Sequence, residues 1–504
     1  MPVCDGRGHV MRQDGLGIDV LVVGDGVLGR SIAYALASAD TGLEVMLCGR
    51  SGPAASSAAG AMLGVLGEVT DTSLSRPHSV LRLQMAVEAA SRWPSWREGI
   101  REQAAATTPD GDGYGQGTFI LLNAVSARLD EKAFAAVQSA GGRYGLPVEH
   151  VDPLEIPGYR PLDNDRALQA LYLSAEGFLD VRRWLATLDA ALNALPNVIL
   201  TGDGSLSATT RGYQLHHAGG AVTAPVAVVA VGAWTNPVLT ALDPDVHVLP
   251  VLSVEGTAFT AAAPARLSAV LRTPNRAYAC GLHTVPRTDG TWYIGASAAP
   301  ALAPGSAPTA GSLRFLLESA LGQLHHGLAT SAVHQIHHGN RPIGLDGHPL
   351  LGPTARPGLW VAAGTHRDGL HTSPLIAQEI TAAILHGRPS RWLAPWCPDR
   401  APITDWSRED AAREAAGHHH ALTAESRMRP PLTGNWPDAL QHAYQHRMNE
   451  VYAAMPADYV LPPDLAPLGY EHQDALAALA REYLQHSPVP STDGKRTAHM
   501  PVDL

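Results

Sequence analysis

The chain has 504 residues, four of them cysteine, and a formal net charge of −11 at pH 7. A hydrophobic content of 45% with 16% charged residues is typical of a folded protein of two or three domains and excludes a disordered chain. The acidic charge without basic clusters argues against a nucleic-acid partner. No apolar run reaches the ~18 residues that a membrane span needs.

The start of the chain contains no apolar signal-peptide core, and from this we expect a cytoplasmic protein. The cysteines are scattered along the chain without the spacing of a metal site. We therefore interpret them as reduced, structural thiols and expect no metal centre.

A β-branched run passes directly into a glycine-rich turn at 18–29, with the sequence IDVLVVGDGVLG. The pattern G-x-G-x-x-G between a strand and a helix is typical of the phosphate cradle of a dinucleotide-binding βαβ unit. Here Gly24 makes the tight turn, Gly26 lets the backbone approach the pyrophosphate, and Gly29 lets helix and strand pack closely. A glycine-rich turn of any α/β protein is the alternative, but the strand before it and the helix after it favour dinucleotide binding.

The second predicted strand covers 44–50 and lacks the acidic side chain that usually binds the ribose of a dinucleotide. Gly49 stands at that position, and Glu44 lies too early in the strand. Either backbone groups with Arg50 or Ser51 hold the ribose, or the affinity for the nucleotide is reduced.

A tract of small residues, GPAASSAAGAML, follows at 52–63. A plain linker has a similar composition. However, small side chains let a backbone lie flat against a planar ring and offer it N–H and hydroxyl donors. Its place directly after the nucleotide-binding unit favours contact with such a ring.

The next elements mix helices and strands in chain order. We predict a helix over 76–103, a strand over 117–122 and an amphipathic helix after Asp180. A strand at 226–231 returns to the nucleotide-binding sheet, so that sheet is assembled from separated pieces. Residues 246–334 alternate strands and turns, which indicates an antiparallel sheet.

The last third of the chain carries helix signals. Thr372, Ser373 and Pro374 are predicted to open a helix, with a capping hydroxyl followed by proline in the first turn. Helical patterns at 437–455 and 473–485 indicate an appended module.

Two further segments of this region are interpreted as lacking regular structure. The three histidines His418, His419 and His420 follow a predicted helix end at Gly417, and we interpret them as a solvated loop. Disorder is expected from Pro488 onward.

Two distant blocks resemble the D-amino acid oxidase superfamily of flavoenzymes. The sequence RPIGLDGHPLLG at 341–352 is similar to the RP-x-x-x-DG-x-P-x-x-G block of that superfamily. The sequence GLWVAAGTHRDG at 358–369 is similar to its last FAD-contacting strand and loop. With the glycine loop, the small-residue tract and 228–234, five blocks fall in the family's order over about 18–390, and within the superfamily they most resemble the glycine oxidase family.

This resemblance implies an α/β fold, α+β overall: a Rossmann-type FAD-binding domain, an antiparallel-sheet substrate domain and a C-terminal helical extension. The expected boundaries are 18–90, 170–245 and 335–390 for the FAD-binding domain, 91–169 and 246–334 for the substrate domain, and 391–504 for the extension with its disordered tail.

The resemblance also implies bound FAD. No histidine or cysteine stands where relatives attach FAD covalently, so we expect noncovalent binding. The expected cofactor-binding residues lie in the glycine loop, at the end of the second strand, in the small-residue tract and in the later blocks: Gly24, Gly26, Val27, Gly29, Arg50, Ser56, Ser57, Ala59, Gly60, Met62, Gly232, Trp234, Gly364, His366, Arg367, Asp368, Gly369 and Leu370.

Three residues are the expected catalytic group. Arg341, and less firmly Arg367, would bind a substrate carboxylate, because a guanidinium is a permanently charged, bidentate partner for it. His283 stands in GLHTVPR at 281–287, where the family commonly has a tyrosine beside the substrate. The substrate is therefore expected to differ from glycine.

The expected reaction is oxidation of the C–N bond of an amino acid or N-substituted amino acid. Hydride passes to flavin N5, the imine hydrolyses, and oxygen reoxidises the flavin to give hydrogen peroxide. The alternatives are a flavin dehydrogenase with another electron acceptor and a weakly flavin-binding partner subunit. The expected partners are the small amine and oxygen, and a homo-oligomer is left open.

Overall fold

The computed structural model describes residues 17–49, 54–104, 111–276, 281–387, 390–428 and 435–487. Arg50, Cys280 and the predicted disordered tail lie outside these ranges. The strands in the described ranges are β1 (Val20–Val23), β2 (Val45–Cys48), β3 (Met62–Leu63), β4 (Gly115–Asn123), β5 (Glu149–Val151), β6 (Ala167–Phe178), β7 (Val198–Thr201), β8 (Gly204–Thr209), β9 (Gly212–His217), β10 (Gly220–Ala224), β11 (Val226–Val229), β12 (Val251–Ala262), β13 (Val270–Arg272), β14 (His283–Pro286), β15 (Thr291–Gly295), β16 (Ala299–Ala301), β17 (Val333–Gly344), β18 (Leu350–Pro353) and β19 (Leu359–Ala363). The helices are α1 (Val27–Ala39), α2 (Pro77–Ala104), α3 (Arg128–Tyr144), α4 (Val181–Asn193), α5 (Thr235–Leu242), α6 (Ala310–Gln323), α7 (Ser373–His386), α8 (Arg408–Glu425), α9 (Trp436–Ala454), α10 (Ala466–Glu471) and α11 (Gln473–His486).

The first sheet has six strands in the order β18–β19–β11–β1–β2–β7. Four of its five pairings are parallel, and β18 runs antiparallel to β19 at one edge. All four residues of β1 are buried, as expected for a parallel sheet covered on both faces. The order joins strands that are far apart in the chain, which confirms the predicted Rossmann-type sheet assembled from separated pieces.

The second sheet has the order β16–β12–β15–β14–β13–β4–β6–β3, with β17 added on β12 and β5 on β6. Its pairings are antiparallel apart from β13 with β4. This confirms the antiparallel sheet expected over 246–334. A separate small sheet, β10–β9–β8, is also antiparallel and was not predicted.

The strand pairing differs from the expected boundaries at three points. The expected FAD-binding domain includes 62–63, 170–178 and 335–344, but β3 pairs with β6, β6 with β4 and β17 with β12, all in the second sheet. An alternating pattern identifies a strand without identifying its partner, because pairing is set by tertiary packing. The region 246–334 also contains α6, where only strands and turns were expected.

The C-terminal helices share a buried apolar cluster with the strands of the body. Ala411 of α8 and Met448 of α9 belong to the same buried cluster as Leu21 of β1 and Val229 of β11. The hydroxyl of Tyr459, which lies between α9 and α10, donates a hydrogen bond to the Leu345 carbonyl (2.8 Å). The extension is therefore joined to the body through a shared apolar core.

The prediction of a solvated histidine loop is wrong. Helix α8 runs through Gly417 to Glu425, and the side chain of His418 is buried against Glu414, with Nε2 3.1 Å from Oε1. Glycine inside a helix costs about 1 kcal/mol. Burial of one face of α8 offsets that cost. Among the described helices, none is both long enough and apolar enough to cross a membrane.

Candidate active site

One large cleft lies where the carboxyl ends of β1, β11 and β19 meet the second sheet. Its empty volume, including the open mouth, is about 1580 Å³. One end is formed by the glycine loop and the other by side chains from strands of the second sheet, namely Arg272 on β13, His283 on β14, Tyr293 on β15 and Arg341 on β17. Open α/β sheets bind their ligands at this edge of the strands.

The glycine loop has the geometry that the sequence predicted. Gly24 has φ +112°, and a Cβ there would lie 2.4 Å from the Ala230 carbonyl oxygen. A Cβ on Gly29 would lie 1.7 Å from the Gly24 carbonyl oxygen, so helix α1 can approach the turn only with glycine there. Gly26 forms the N-cap of α1 with no side-chain cap of its own. The next amide, of Val27, donates instead to Ser56 Oγ (2.9 Å), which ties the small-residue tract to the start of α1.

Fourteen of the expected cofactor residues line the cleft: Gly24, Gly26, Val27, Ser56, Ala59, Gly60, Met62, Gly232, Trp234, His366, Arg367, Asp368, Gly369 and Leu370. Three others lie outside its wall. Gly29 packs behind the loop, Ser57 is exposed and donates to the Ala54 carbonyl (3.0 Å), and Gly364 turns with φ +72° against Leu350.

His366 presents an unsatisfied polar atom in the cleft wall. Its side chain is 2% exposed and its backbone has φ +51°, a left-handed conformation that is uncommon for residues other than glycine. Nε2 is buried without a hydrogen-bond partner among the described residues. Burial, with Arg367 and Arg341 nearby, holds the pKa of the imidazole well below its usual value. A buried polar atom of this kind is normally paired. Together with the glycine cradle, it shows that the residues present fit FAD, the cofactor implied by the family resemblance.

The helix that begins after this loop differs from the prediction in its cap. Helix α7 begins at Ser373 as expected, but the Thr372 side chain makes no cap hydrogen bond to the helix. Its hydroxyl donates backward to the Asp368 carbonyl (2.7 Å). Thr372 therefore stabilises the loop that lines the cleft and not the first turn of α7.

Arg341 lies in the cleft with its charge uncompensated by any carboxylate of the described residues. Strand β17 places it opposite Val254, and its Nη1 donates to the Ser297 carbonyl (3.0 Å). A Cβ on Gly256 would lie 2.6 Å from both terminal nitrogens, so glycine at 256 makes room for the guanidinium. The strand carrying Arg341 has 12 residues. This arginine is positioned to receive an anionic group.

Arg367 also lines the cleft, but its guanidinium already has protein partners. Nε lies 3.5 Å from Glu68 Oε2, and Nη1 donates to the Arg276 carbonyl (3.2 Å). Of the two predicted carboxylate-binding arginines, Arg341 is therefore the better placed.

His283 is buried and neutral. Its Nδ1 lies 2.9 Å from the Gly281 carbonyl oxygen, which can only accept, so Nδ1 carries the proton and Nε2 presents a lone pair. Burial, with Arg272 and Arg341 nearby, lowers the pKa of the imidazole to about 4. Nε2 lies in a gap kept open by two glycines, since a Cβ on Gly60 or Gly295 would come within 3.2 Å or 2.9 Å of it.

Tyr293 stands beside His283 in the cleft. The two rings are stacked with centroids 6.0 Å apart, because β14 and β15 are adjacent strands of the sheet. The Tyr293 hydroxyl donates to the Ala58 carbonyl (2.7 Å). A tyrosine is thus present next to the position where the family commonly has one.

The cleft wall contains an ionic network of residues that no sequence motif predicted. The Arg272 side chain is 1% exposed, its Nη1 donates to Glu68 Oε1 (2.8 Å), and its Nη2 donates to Asn275 Oδ1 (2.7 Å). The Asn275 amide in turn donates to the other Glu68 oxygen. Burial alone would raise the pKa of Glu68, but Arg272 and Arg367, with these hydrogen bonds, lower it to about 2. No motif in a single sequence links residues that are 204 positions apart.

Comparison with known proteins gives a consistent result. A family model described as "DAO: FAD dependent oxidoreductase" matches residues 19–383. A glycine oxidase of Pseudomonas putida is 29% identical over 401 residues, which cover 75% of this chain and 98% of the relative. A glycine oxidase of Geobacillus kaustophilus is 26% identical over 382 residues, which cover 75% and 96%.

Solved structures share the fold. The crystal structure of glycine oxidase from Geobacillus kaustophilus superposes with a TM-score of 0.64 at 24% identity, covering 77% of this chain and 99% of that one. That of iminodiacetate oxidase from Chelativorans sp. BNC1 superposes with a TM-score of 0.61 at 21% identity, covering 76% and 100%. The family match ends at residue 383, before helix α8 begins.

Proposed function

The chain belongs to the DAO family of FAD-dependent oxidoreductases, and from that premise we propose that it oxidises the C–N bond of an amino acid or N-substituted amino acid. The observation that carries the proposal is Arg341, a cleft arginine whose charge no carboxylate of the described residues compensates. A substrate carboxylate supplies that partner through two parallel hydrogen bonds. Relatives named glycine oxidase and iminodiacetate oxidase act on amines that carry a carboxylate.

His283 would bind the nitrogen end of the same substrate. Its Nε2 lone pair would accept a hydrogen bond from a substrate N–H, while Nδ1 keeps its proton and donates it in a hydrogen bond to the Gly281 carbonyl. With a pKa of about 4 the imidazole is too weak a base to take up a proton near neutral pH. His283 therefore orients the amine and does not act as a general base.

Arg341 and His283 together would hold the substrate at two points. Both line the cleft from the second sheet, His283 on β14 and Arg341 on β17, so the carbon between carboxylate and amine would be presented in one orientation. FAD, held by the glycine loop and Ser56, would supply the two-electron acceptor for this oxidation, with oxygen as the final acceptor and hydrogen peroxide as the product. The protein orients the substrate and excludes competing geometries.

FAD is proposed to bind without a covalent bond. The glycine loop, the start of α1 and the Ser56 contact form a cradle made of backbone groups and small side chains. Acid precipitation of the purified protein should release the flavin into the supernatant. Flavin that stays with the pellet would contradict this part of the proposal.

The experiment that tests the function has two steps. First, candidate amines are added anaerobically to the yellow protein, and loss of the flavin absorbance identifies a substrate. Glycine, sarcosine, iminodiacetate, D- and L-amino acids and N-substituted amino acids form the set. Second, oxygen is admitted and hydrogen peroxide is measured.

The outcomes separate the candidates. Bleaching followed by peroxide supports the proposed oxidase. Bleaching without peroxide indicates a dehydrogenase with another acceptor, and a colourless protein that gains no flavin on reconstitution indicates a partner subunit. No bleaching by any carboxylate-bearing amine contradicts the proposal.

A further inference from the structure

A carboxylate occupies the place that the second strand leaves empty. Gly49 follows β2, where an acidic side chain is usual in dinucleotide-binding folds. A Cβ on Gly49 would lie 3.2 Å from Asp25 Oδ2 and 3.4 Å from Asp25 Cγ. Asp25 is the middle residue of the Gly24–Gly26 turn and lines the cleft. The Asp25 carboxylate therefore lies beside position 49, where the strand-end acid is missing.

We propose that Asp25 is the carboxylate that binds the adenosine ribose of FAD, replacing the side chain that Gly49 lacks. Ribose hydroxyls are donors, and an ionised carboxylate accepts from them in short, charge-assisted hydrogen bonds. Gly49 is part of the same arrangement, since any side chain there would press on the Asp25 carboxylate. In this chain the carboxylate is therefore supplied by the glycine loop, at position 25, and not by the end of β2, at position 49.

The surroundings of Asp25 suit this role. A second cavity shares Val231 with the cleft and is lined by Gly49, Asp203 and Leu206. The ribose of FAD joins the pyrophosphate to the adenine base. Asp25 lines the cleft, and its carboxylate lies against Gly49, which lines the second cavity, so we place the ribose at this junction.

A nearby cation orients the carboxylate. Arg30 Nη2 on α1 lies 3.7 Å from Asp25 Oδ2, while Arg30 Nε binds Asp189 Oδ1 at 2.6 Å. Arg30 thus bridges the cleft carboxylate and a carboxylate of α4 that lies outside the cleft wall. Asp189 offers a control that alters Arg30 without touching the proposed ribose contact.

The test uses the full chain stripped of flavin and titrated with two ligands, with binding followed by quenching of flavin fluorescence. One ligand is FAD and the other is an FAD analogue whose adenosine carries 2′,3′-dideoxyribose. For the unaltered chain we expect the analogue to bind about 10- to 100-fold more weakly, the range for hydrogen bonds to a charged group. Asp25→Asn should weaken the binding of FAD by a similar factor and leave the affinity for the analogue nearly unchanged.

Two further variants keep the result interpretable. Gly49→Ala should also weaken the binding of FAD more than the binding of the analogue, because the alanine Cβ presses on the Asp25 carboxylate. Asp189→Asn should leave both affinities within about 2-fold, as expected for a partly exposed ion pair. Equal affinity of the unaltered chain for the two ligands would overturn the proposal. Equal losses for both ligands in Asp25→Asn would also overturn it, since Asp25 would then act on the fold or through Arg30.

Discussion

Three arginines of the described residues line the cleft, and their ion-pair partners show which of them are already paired within the protein. Arg272 and Arg367 share the carboxylate of Glu68, with the Arg272 contact at 2.8 Å and the Arg367 contact at 3.5 Å. Arg341 donates to the Ser297 carbonyl and pairs with no carboxylate in the described part of the chain. The first two stabilise the wall of the cleft, whereas Arg341 is available to a substrate.

Replacement of Arg341 is the direct test of that assignment. Losing a buried charge-assisted pair costs about 2–5 kcal/mol, so Arg341→Ala should lower kcat/KM for the best amine by roughly two to three orders of magnitude. Arg341→Lys should recover only part, because an ammonium cannot form two parallel bonds. Arg314→Ala, which alters a side chain 78% exposed, is the control. An unchanged kcat/KM in Arg341→Ala would remove this residue from the site.

Substrate choice is expected to depend on His283. An imidazole is smaller than a phenol ring, so histidine at position 283 leaves more room in the cleft than tyrosine would. We therefore expect an amino acid or N-substituted amino acid larger than glycine to be the better substrate. His283→Tyr should raise the ratio of kcat/KM for glycine to kcat/KM for the larger amine. The idea fails if the native protein oxidises glycine as efficiently as any larger amine tested.

At the scale of elements, the extension holds the turn that follows the Arg341 strand. The carboxylate of Asp346, fully buried in that turn, accepts two hydrogen bonds from Arg400 Nη2 (3.0 and 2.8 Å) and one from the Ile403 amide (2.9 Å). Tyr459 binds the neighbouring Leu345 carbonyl. The segment after 390 therefore supports the position of β17 and is more than an appended module.

Loss of the Arg400 contact should destabilise the whole protein. Arg400→Met leaves the Asp346 carboxylate buried and unpaired, at a cost of about 3–5 kcal/mol in the free energy of unfolding. The matched control is Arg413→Met on α8, whose pairs with Glu409 and Asp410 are exposed to solvent and should contribute little to stability. Urea unfolding of the two variants gives the comparison. Equal midpoints would show that the extension does not stabilise the body through this contact.

At the scale of the whole molecule, buried histidines set the response to acid. Burial lowers the pKa of seven described histidines: His283, His325, His337, His348, His366, His371 and His419. The unfolded chain takes up protons at these positions near the ordinary pKa of 6.5, whereas the folded protein does not until the pH approaches about 4 for His283. The stability that these neutral histidines contribute is therefore fully present above about pH 6.5 and is lost as the pH falls below that value.

Acid lability is the resulting prediction. The free energy of unfolding should be nearly constant from pH 7 to 8 and should decrease as the pH falls from about 6.5 toward 4, with His283 alone contributing up to about 3 kcal/mol. Glu68 acts in the same direction at lower pH, since its pKa of about 2 lies below its ordinary value. Urea titrations at several pH values measure the slope, and His283→Gln should reduce it. A stability that rises on acidification would contradict the prediction.

The amino-acid sequence alone determined the features whose chemistry is local. The glycine loop, helix α1, the block that carries Arg341 and the helices at 437–455 and 473–485 follow from spacing and residue type over a few neighbouring positions. Fourteen of the expected cofactor residues line one cleft for the same reason, because each lies in a short sequence motif.

Only the tertiary structure decided the contacts between distant segments. Sheet packing pairs β6 with β4 and β17 with β12, brings Glu68 to Arg272, and places Asp25 where Gly49 lacks a side chain. The same packing attaches Arg400 to Asp346 and buries His418 inside α8. These outcomes depend on which apolar faces meet, and the free energy of that burial outweighs local preferences such as the glycine before His418.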